Sequence, residues 1–197
     1  MSEVMNSKCE QLMEYTGNAN FKVTNSSVPS KMLDTRIKIT ERRINCAEVD
    51  IGRYSIFQIA NWFLQKSPMT QKKLQKLCYY AQAWFYALKG IRLADSDFQA
   101  WVHGPISPIL YERFKPFGFD TIKLKHGCVV SIDEEDKTLL EDVWETYGNY
   151  SGNALEALAH YEEPWIQARI GYASNERCCI VISPDSMKSY YQSIYKK

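Results

Sequence analysis

Residues 73–84, Lys73-Leu74-Gln75-Lys76-Leu77-Cys78-Tyr79-Tyr80-Ala81-Gln82-Ala83-Trp84, decide the fold of this chain. Leu74, Leu77, Cys78, Ala81, Phe85 and Leu88 recur at helical spacing and make an apolar stripe. Lys73, Lys76, Tyr80 and Trp84 form a second row, at steps of three and four, off that stripe. A solvated helix face does not ordinarily carry Tyr and Trp. Either this helix is buried almost all round, or its second face meets a partner.

The neighbouring segments read as a helical domain around it. The long helix runs from about Thr70 to Lys89 and closes on Gly90. Before it, Ser55-Ile56-Phe57-Gln58 has the form of a capping box, and the helix it opens turns Ile56, Ile59, Ala60 and Phe63 inward as far as Ser67-Pro68. After it, Phe98 to Val102 reads as a short strand. Ser107 and Pro108 read as the N-cap and first residue of a helix through Phe114, ended by Pro116 and Gly118. Thr121 to Ile132 holds two short strand pieces around His126-Gly127. Asp133 caps a further helix with Glu134, Glu135 and Asp136 in its first turn and Leu139, Leu140, Val143, Trp144 and Tyr147 on its buried side. Ser151, Pro164-Trp165 and Ser183-Pro184-Asp185 each open one more helix, and Cys178 to Ile182 is apolar enough for a strand. The fold class is mainly α, an α+β arrangement with a small β element and about six or seven helices.

The aromatic residues set the domain boundary. Of 5 Trp, 13 Tyr and 8 Phe, only Tyr15 and Phe21 precede residue 53. Residues 1–52 therefore form an N-terminal extension with too few large anchors to pack a core alone, and 53–197 form the compact domain. In the extension, Val4, Met5, Leu12 and Met13 suit a weak amphipathic helix, Gly17 to Pro29 is turn-rich, and Arg36 to Thr40 suits a short strand. The net charge of +1 and pI of about 7.6 argue against bulk electrostatic binding of nucleic acid. The N-terminus carries Glu3, Glu10 and Glu14 and no apolar signal-peptide core. Cys78 to Leu88 is too short to span a bilayer. The six cysteines include no C-x-x-C pair. They read as reduced thiols of a cytoplasmic protein, with Cys78 a small core hydrophobe.

Few residues point to catalysis. No catalytic signature surrounds any cysteine. His103, His126 and His160 lack zinc-ligand spacing, so neither a metal nor another cofactor is expected. His160-Tyr161-Glu162-Glu163 pairs an acid with a base, or is a helix end with solvated carboxylates. Lys72, Lys73, Lys76, Tyr79 and Tyr80 make a basic, aromatic stripe that suits nucleic acid less well than Lys stems covering apolar surface. His103-Gly104-Pro105-Ile106-Ser107-Pro108, with Trp101 just before it, is a stiff loop. It is either a pre-organised recognition element or a buried turn that locks onto the long helix.

These pieces resemble the SocA-like antitoxin family, whose shared unit is the Panacea domain and which includes phage-associated proteins of the GepA type. The resemblance rests on residues 59–64, Thr70, residues 73–84, Ala100-Trp101, Gly104-Pro105, Pro108 and Tyr111. It continues through Ser151-Gly152, Leu155, Leu158, His160, Pro164-Trp165, Ala168-Arg169 and residues 187–191. It spans about residues 53 to 195 in the expected order. Cys78 departs from it, standing where the family commonly has a larger aliphatic residue.

The resemblance implies a compact multi-helix Panacea-type domain. It also implies a non-enzymatic antitoxin that neutralises a cognate toxin, encoded by the adjacent gene, through direct protein–protein binding. The flanking segment 1–52 would help contact the toxin. Lys73, Lys76, Tyr80, Trp84, Trp101 and His103 are the candidate partner-binding residues. An adaptor delivering a client toxin to a cytosolic protease is the alternative, and a Cys- or His-dependent enzyme is a more distant one. No membrane or nucleic-acid partner is expected.

Overall fold

A computed structural model describes residues 52–124 and 130–195. The readings placed on residues 1–51 and on His126-Gly127 lie outside them. Among the described residues there are seven α-helices and two small antiparallel sheets. The helices are α1 (Ile56–Lys66), α2 (Gln71–Lys89), α3 (Pro108–Phe114), α4 (Glu134–Tyr147), α5 (Gly152–His160), α6 (Glu163–Ala168) and α7 (Pro184–Tyr195). β1 (Met69–Thr70) pairs with β4 (Thr121–Ile122), and β2 (Gln99–Trp101) pairs with β3 (Gly104–Ile106). The mainly α class is as expected. No helix among the described residues is long and apolar enough to cross a membrane.

The helix ends follow the capping chemistry. Both arms of the Ser55–Gln58 capping box form. Thr70, Ser107 and Ser151 accept from the backbone N–H groups of Lys73, Leu110 and Ala154. Gly90 ends α2 at φ 68°, a left-handed conformation that favours glycine. Asp133 holds the N-cap position of α4 but makes no capping bond. Its carboxylate meets Arg53 at 2.9 Å instead.

α2 runs through the middle of the molecule, packed by α7, α5, α1, α4 and β3. Its buried residues run almost without a break from Leu74 to Ala87. The helix is therefore buried all round, and its polar side chains serve as latches on passing backbone. Gln71 Nε2 donates to Tyr111 O at 2.8 Å. Gln75 takes both backbone groups of Ser107, accepting from its N–H at 2.9 Å and donating to its carbonyl at 3.2 Å. Lys76 Nζ donates to Pro105 O at 3.1 Å, and Gln82 Oε1 accepts from Ala94 N at 2.9 Å. Each latch satisfies a backbone group that burial would otherwise strand.

The stiff loop at 103–108 proves to be half of a hairpin. Val102 and His103 form its turn, with Trp101 opposite Gly104 and Ala100 opposite Pro105. Ala100 N donates to Ile180 O and Ile182 N to Phe98 O, so residues 180–182 flank β2 on its other side. Pro105, which has no N–H to give, thus lies in an outer strand. Gly104 sits at φ 86°, and a Cβ there would come 2.8 Å from Lys76 Cε. Both the turn and the lysine latch need glycine at this position.

Two carboxylates at helix starts are buried. Asp136 is fully buried, 2.7 Å from Lys89 Nζ and 3.1 Å from Arg53 Nε, and it accepts the Tyr54 hydroxyl at 2.7 Å. Burial, and then this bond to Asp136, push the Tyr54 hydroxyl up to about 12. Glu162 is also buried, and accepts the Tyr191 hydroxyl at 2.7 Å.

Candidate functional site

A groove of about 760 Å³ opens where the amino-terminal ends of α2 and α5 meet the hairpin and α3. The two helix ends approach closely because of Gly152. A Cβ there would lie 3.0 Å from Lys73 N. Gln75 and Ile106 are buried at the floor. Trp101 and Tyr111 are half-buried in the walls, ring centroids 5.0 Å apart and edge to face. Trp101 Nε1 donates to Gln99 Oε1 at 2.8 Å, which fixes the indole and leaves its ring toward the groove lining. The rim carries Lys72, His103, Lys115 and Phe119. Phe119 is 97% exposed, held out by the turn after the short 3₁₀ segment at Lys115–Phe117. Phe117 and Ile109 are exposed nearby in the chain.

Beneath the rim, Glu156 engages Lys72 and His103. Its carboxylate lies 2.6 Å from Lys72 Nζ and 2.9 Å from His103 Nδ1. Burial works to raise this carboxyl, but hydrogen bonds from Lys72 and His103 outweigh it and hold the pKa below its usual value. Lys76, completely buried behind β3, is pushed down to about 7 by desolvation, against the opposing pull of Glu156. His160 is lowered too, chiefly by burial.

The six candidate residues separate into three sets. Trp101 and His103 line the groove together, on the strand and turn of one hairpin. Lys76, Tyr80 and Trp84 have no exposed surface. As surfaces for a partner they are corrected to core residues. Tyr80 stacks on Tyr147 with centroids 4.0 Å apart, and Trp84 Nε1 donates to the Tyr147 hydroxyl at 3.1 Å. Lys73 is half-buried, donates to Gly148 O at 2.5 Å and lies 5.6 Å from the Trp144 ring centroid. It braces α4 and does not line the groove. Tyr111, Lys115 and Phe119 were missed as site residues. Pro116 and Gly118 were read only as helix stops, although an aromatic on each side of Gly118 was itself a sign of an exposed apolar turn.

Residues 74–166 match the family described as Antitoxin SocA-like, Panacea domain. Antitoxin SocA of Caulobacter vibrioides (strain NA1000 / CB15N) is 30% identical over 124 residues. That alignment covers 54% of this chain and 66% of the relative, just under two thirds of its length. Over these residues the chain is similar to the SocA-like antitoxin family. No solved structure matches it.

The residues that carry the resemblance after the hairpin form a clamp on it. Trp165 Nε1 donates to Trp101 O at 3.0 Å, and the His160 ring stacks on Trp165 at 4.2 Å. Arg169 is buried. It donates to Ala100 O at 2.9 Å and, through its other nitrogen, to the carbonyls of Ala173 and Glu176 at 2.7 and 2.8 Å. With Gly104 admitting Lys76 from the far side, the hairpin is held on both faces. Trp101 and His103 are therefore presented by a fixed element, not by a loose loop.

Proposed function

We propose that this protein is an antitoxin that neutralises a cognate toxin, the product of the adjacent gene, by direct binding. The groove carrying Trp101 and His103 is the contact surface, and residues 1–52 add to it. One observation carries the choice of surface. In a domain whose other aromatic rows are buried, Trp101, Tyr111 and Phe119 converge on one open groove with basic residues at its rim. Aromatic anchors on a rigid support are the residues that usually dominate interface energetics. The similarity to the SocA-like antitoxin family supports a regulatory, non-enzymatic role.

The test is co-expression of the full chain with the neighbouring gene product. Neutralisation by binding gives growth rescue and a complex that co-purifies, with the toxin persisting in the cell. An adaptor for a protease would instead shorten the toxin's half-life, and the loss of that protease would abolish rescue. If growth is not rescued and nothing co-purifies, the antitoxin reading fails.

A further inference from the structure

We infer that the groove takes an acidic segment of a protein partner, one in which carboxylates flank an apolar side chain. This rests on the antitoxin reading only for naming that partner as the toxin.

Charge decides the chemistry. Among the described residues no Asp or Glu lines the groove, whereas Lys72, His103 and Lys115 do. The carboxylate closest beneath the rim, Glu156, is already engaged by Lys72 and His103. Glu112, 3.7 Å from Lys115, is not part of the lining. The first turns of α2 and α5 also contribute to the lining, through Gln71, Lys72, Gly152 and Asn153. Backbone N–H groups there have no intrahelical acceptor and carry the positive end of the helix dipole. Among the described residues, the fixed charges in the lining itself are thus the basic ones of Lys72 and Lys115, and the carboxylates that pair with them, Glu156 and Glu112, lie outside it. This occurs in a chain whose net charge is only +1, so the bias is local and not a general property of the surface.

The walls decide the rest. Trp101, Tyr111, Ile106 and Phe119 are apolar surfaces that a purely ionic ligand would leave wet. An apolar side chain seated on the Trp101–Tyr111 pair covers them, and flanking carboxylates then reach the rim lysines. A volume of about 760 Å³ falls in the range of binding clefts that enclose a ligand of some length, and it opens at the rim. Single-stranded nucleic acid also offers negative charge and a stacking face. It ordinarily needs a basic track along several phosphates, and this groove has an isolated cluster.

The probe is a library of random heptapeptides displayed on phage, selected on the immobilised full chain. Selected sequences are expected to be rich in Asp and Glu around at least one aromatic or large aliphatic residue. Their affinity should fall at least tenfold at high salt. It should fall similarly in the variant carrying Lys115→Glu and Phe119→Ser, whose side chains are exposed and whose circular dichroism should match the parent. A dT15 oligonucleotide serves as the competing arm. The inference is overturned if no peptide is enriched, if the enriched peptides are neutral or basic, if the double variant binds them unchanged, or if the oligonucleotide binds more tightly than they do. Growth rescue by the double variant, measured in parallel, separates the two claims. Rescue without acidic-peptide selection leaves the antitoxin reading standing and removes the groove from it. Acidic-peptide binding without rescue by the parent chain leaves the groove standing and removes the toxin as its occupant.

Discussion

The row Tyr80–Trp84 on α2 and the set Trp101–Tyr111–Phe119 around the groove are built from the same residue types, yet they have opposite surroundings. On α2 each ring is enclosed by other buried rings. Tyr147 stacks on Tyr80 and accepts from Trp84, and Tyr191 meets Trp84 edge-on at 5.0 Å. Around the groove the rings touch on one side only. Trp101 meets Tyr111, and Phe119 is almost wholly exposed. The difference comes from the supporting elements. α2 is surrounded by helices that supply aromatic partners, whereas the groove forms where helix ends, the hairpin and the short α3 meet, and no described element crosses it. An aromatic row at helical spacing is thus a sign of burial when neighbouring helices can close over it. Aromatics on separate short elements are the better sign of an open surface.

The largest test of this contrast is removal of Trp84. Trp84→Ala leaves a cavity in the centre of the domain and removes the Nε1 bond to the Tyr147 hydroxyl. It should cost ~3–5 kcal/mol in urea unfolding. A cost similar to that of a surface substitution would mean that the α2 row is not core. Next in size is Asp136→Asn. It strips the charge from a carboxylate that ties α4 to Lys89, Arg53 and Tyr54. Because Arg53 is 42% exposed and can turn to solvent, the expected loss is about 1–3 kcal/mol, below that of a sealed ion pair.

A smaller, pH-dependent effect follows from Lys76. In the unfolded chain a lysine keeps its proton up to its ordinary ~10.4. Buried behind β3, it releases the proton near 7. Between about pH 7 and 8.5 the unfolded state therefore binds more protons, and stability rises with pH, by at most ~1.4 kcal/mol per unit. Below 7 both states are protonated and the burial penalty is present in full. The window stops before pH 9 because Cys78 and Tyr79, both pushed up by burial, then act in the opposite direction. Lys76→Met should flatten the slope of melting temperature against pH in that window. An unchanged slope would assign it to another group.

Much of the fold was legible because helix starts have local chemistry. Ser55 with Gln58, Thr70, Ser107 with Pro108, Ser151 and Gly90 each sit at the end of the element they signalled. The hairpin was half legible. Phe98 to Val102 read as a strand, but Pro105 concealed β3, since proline pairs only in an outer strand and nothing local says which strand is outer. Asp136 and Glu162 could not be told from their acidic neighbours, because the cations and hydroxyls that bury them come from elsewhere in the chain. The groove was legible only at Trp101 and His103. Tyr111, Lys115 and Phe119 join them through contacts of the α3 region with α2, which no spacing in the sequence records.

The smallest effect on stability is also the sharpest on function. Phe119 is 97% exposed, so Phe119→Ser should change the unfolding free energy by no more than ~0.5 kcal/mol. If the groove is the contact surface, the same change removes a rim anchor and should weaken the complex with the toxin at least tenfold, seen as faster dissociation of the co-purified pair. Trp84→Ala should show the reverse pattern. Its losses in binding should track the unfolded fraction and recover at low temperature, where the folded state is repopulated. A Phe119→Ser protein that holds its toxin as tightly as the parent would move the interface off the groove, while the core assignment of the α2 row would stand untouched. The two substitutions therefore separate packing from recognition, although both remove an aromatic ring.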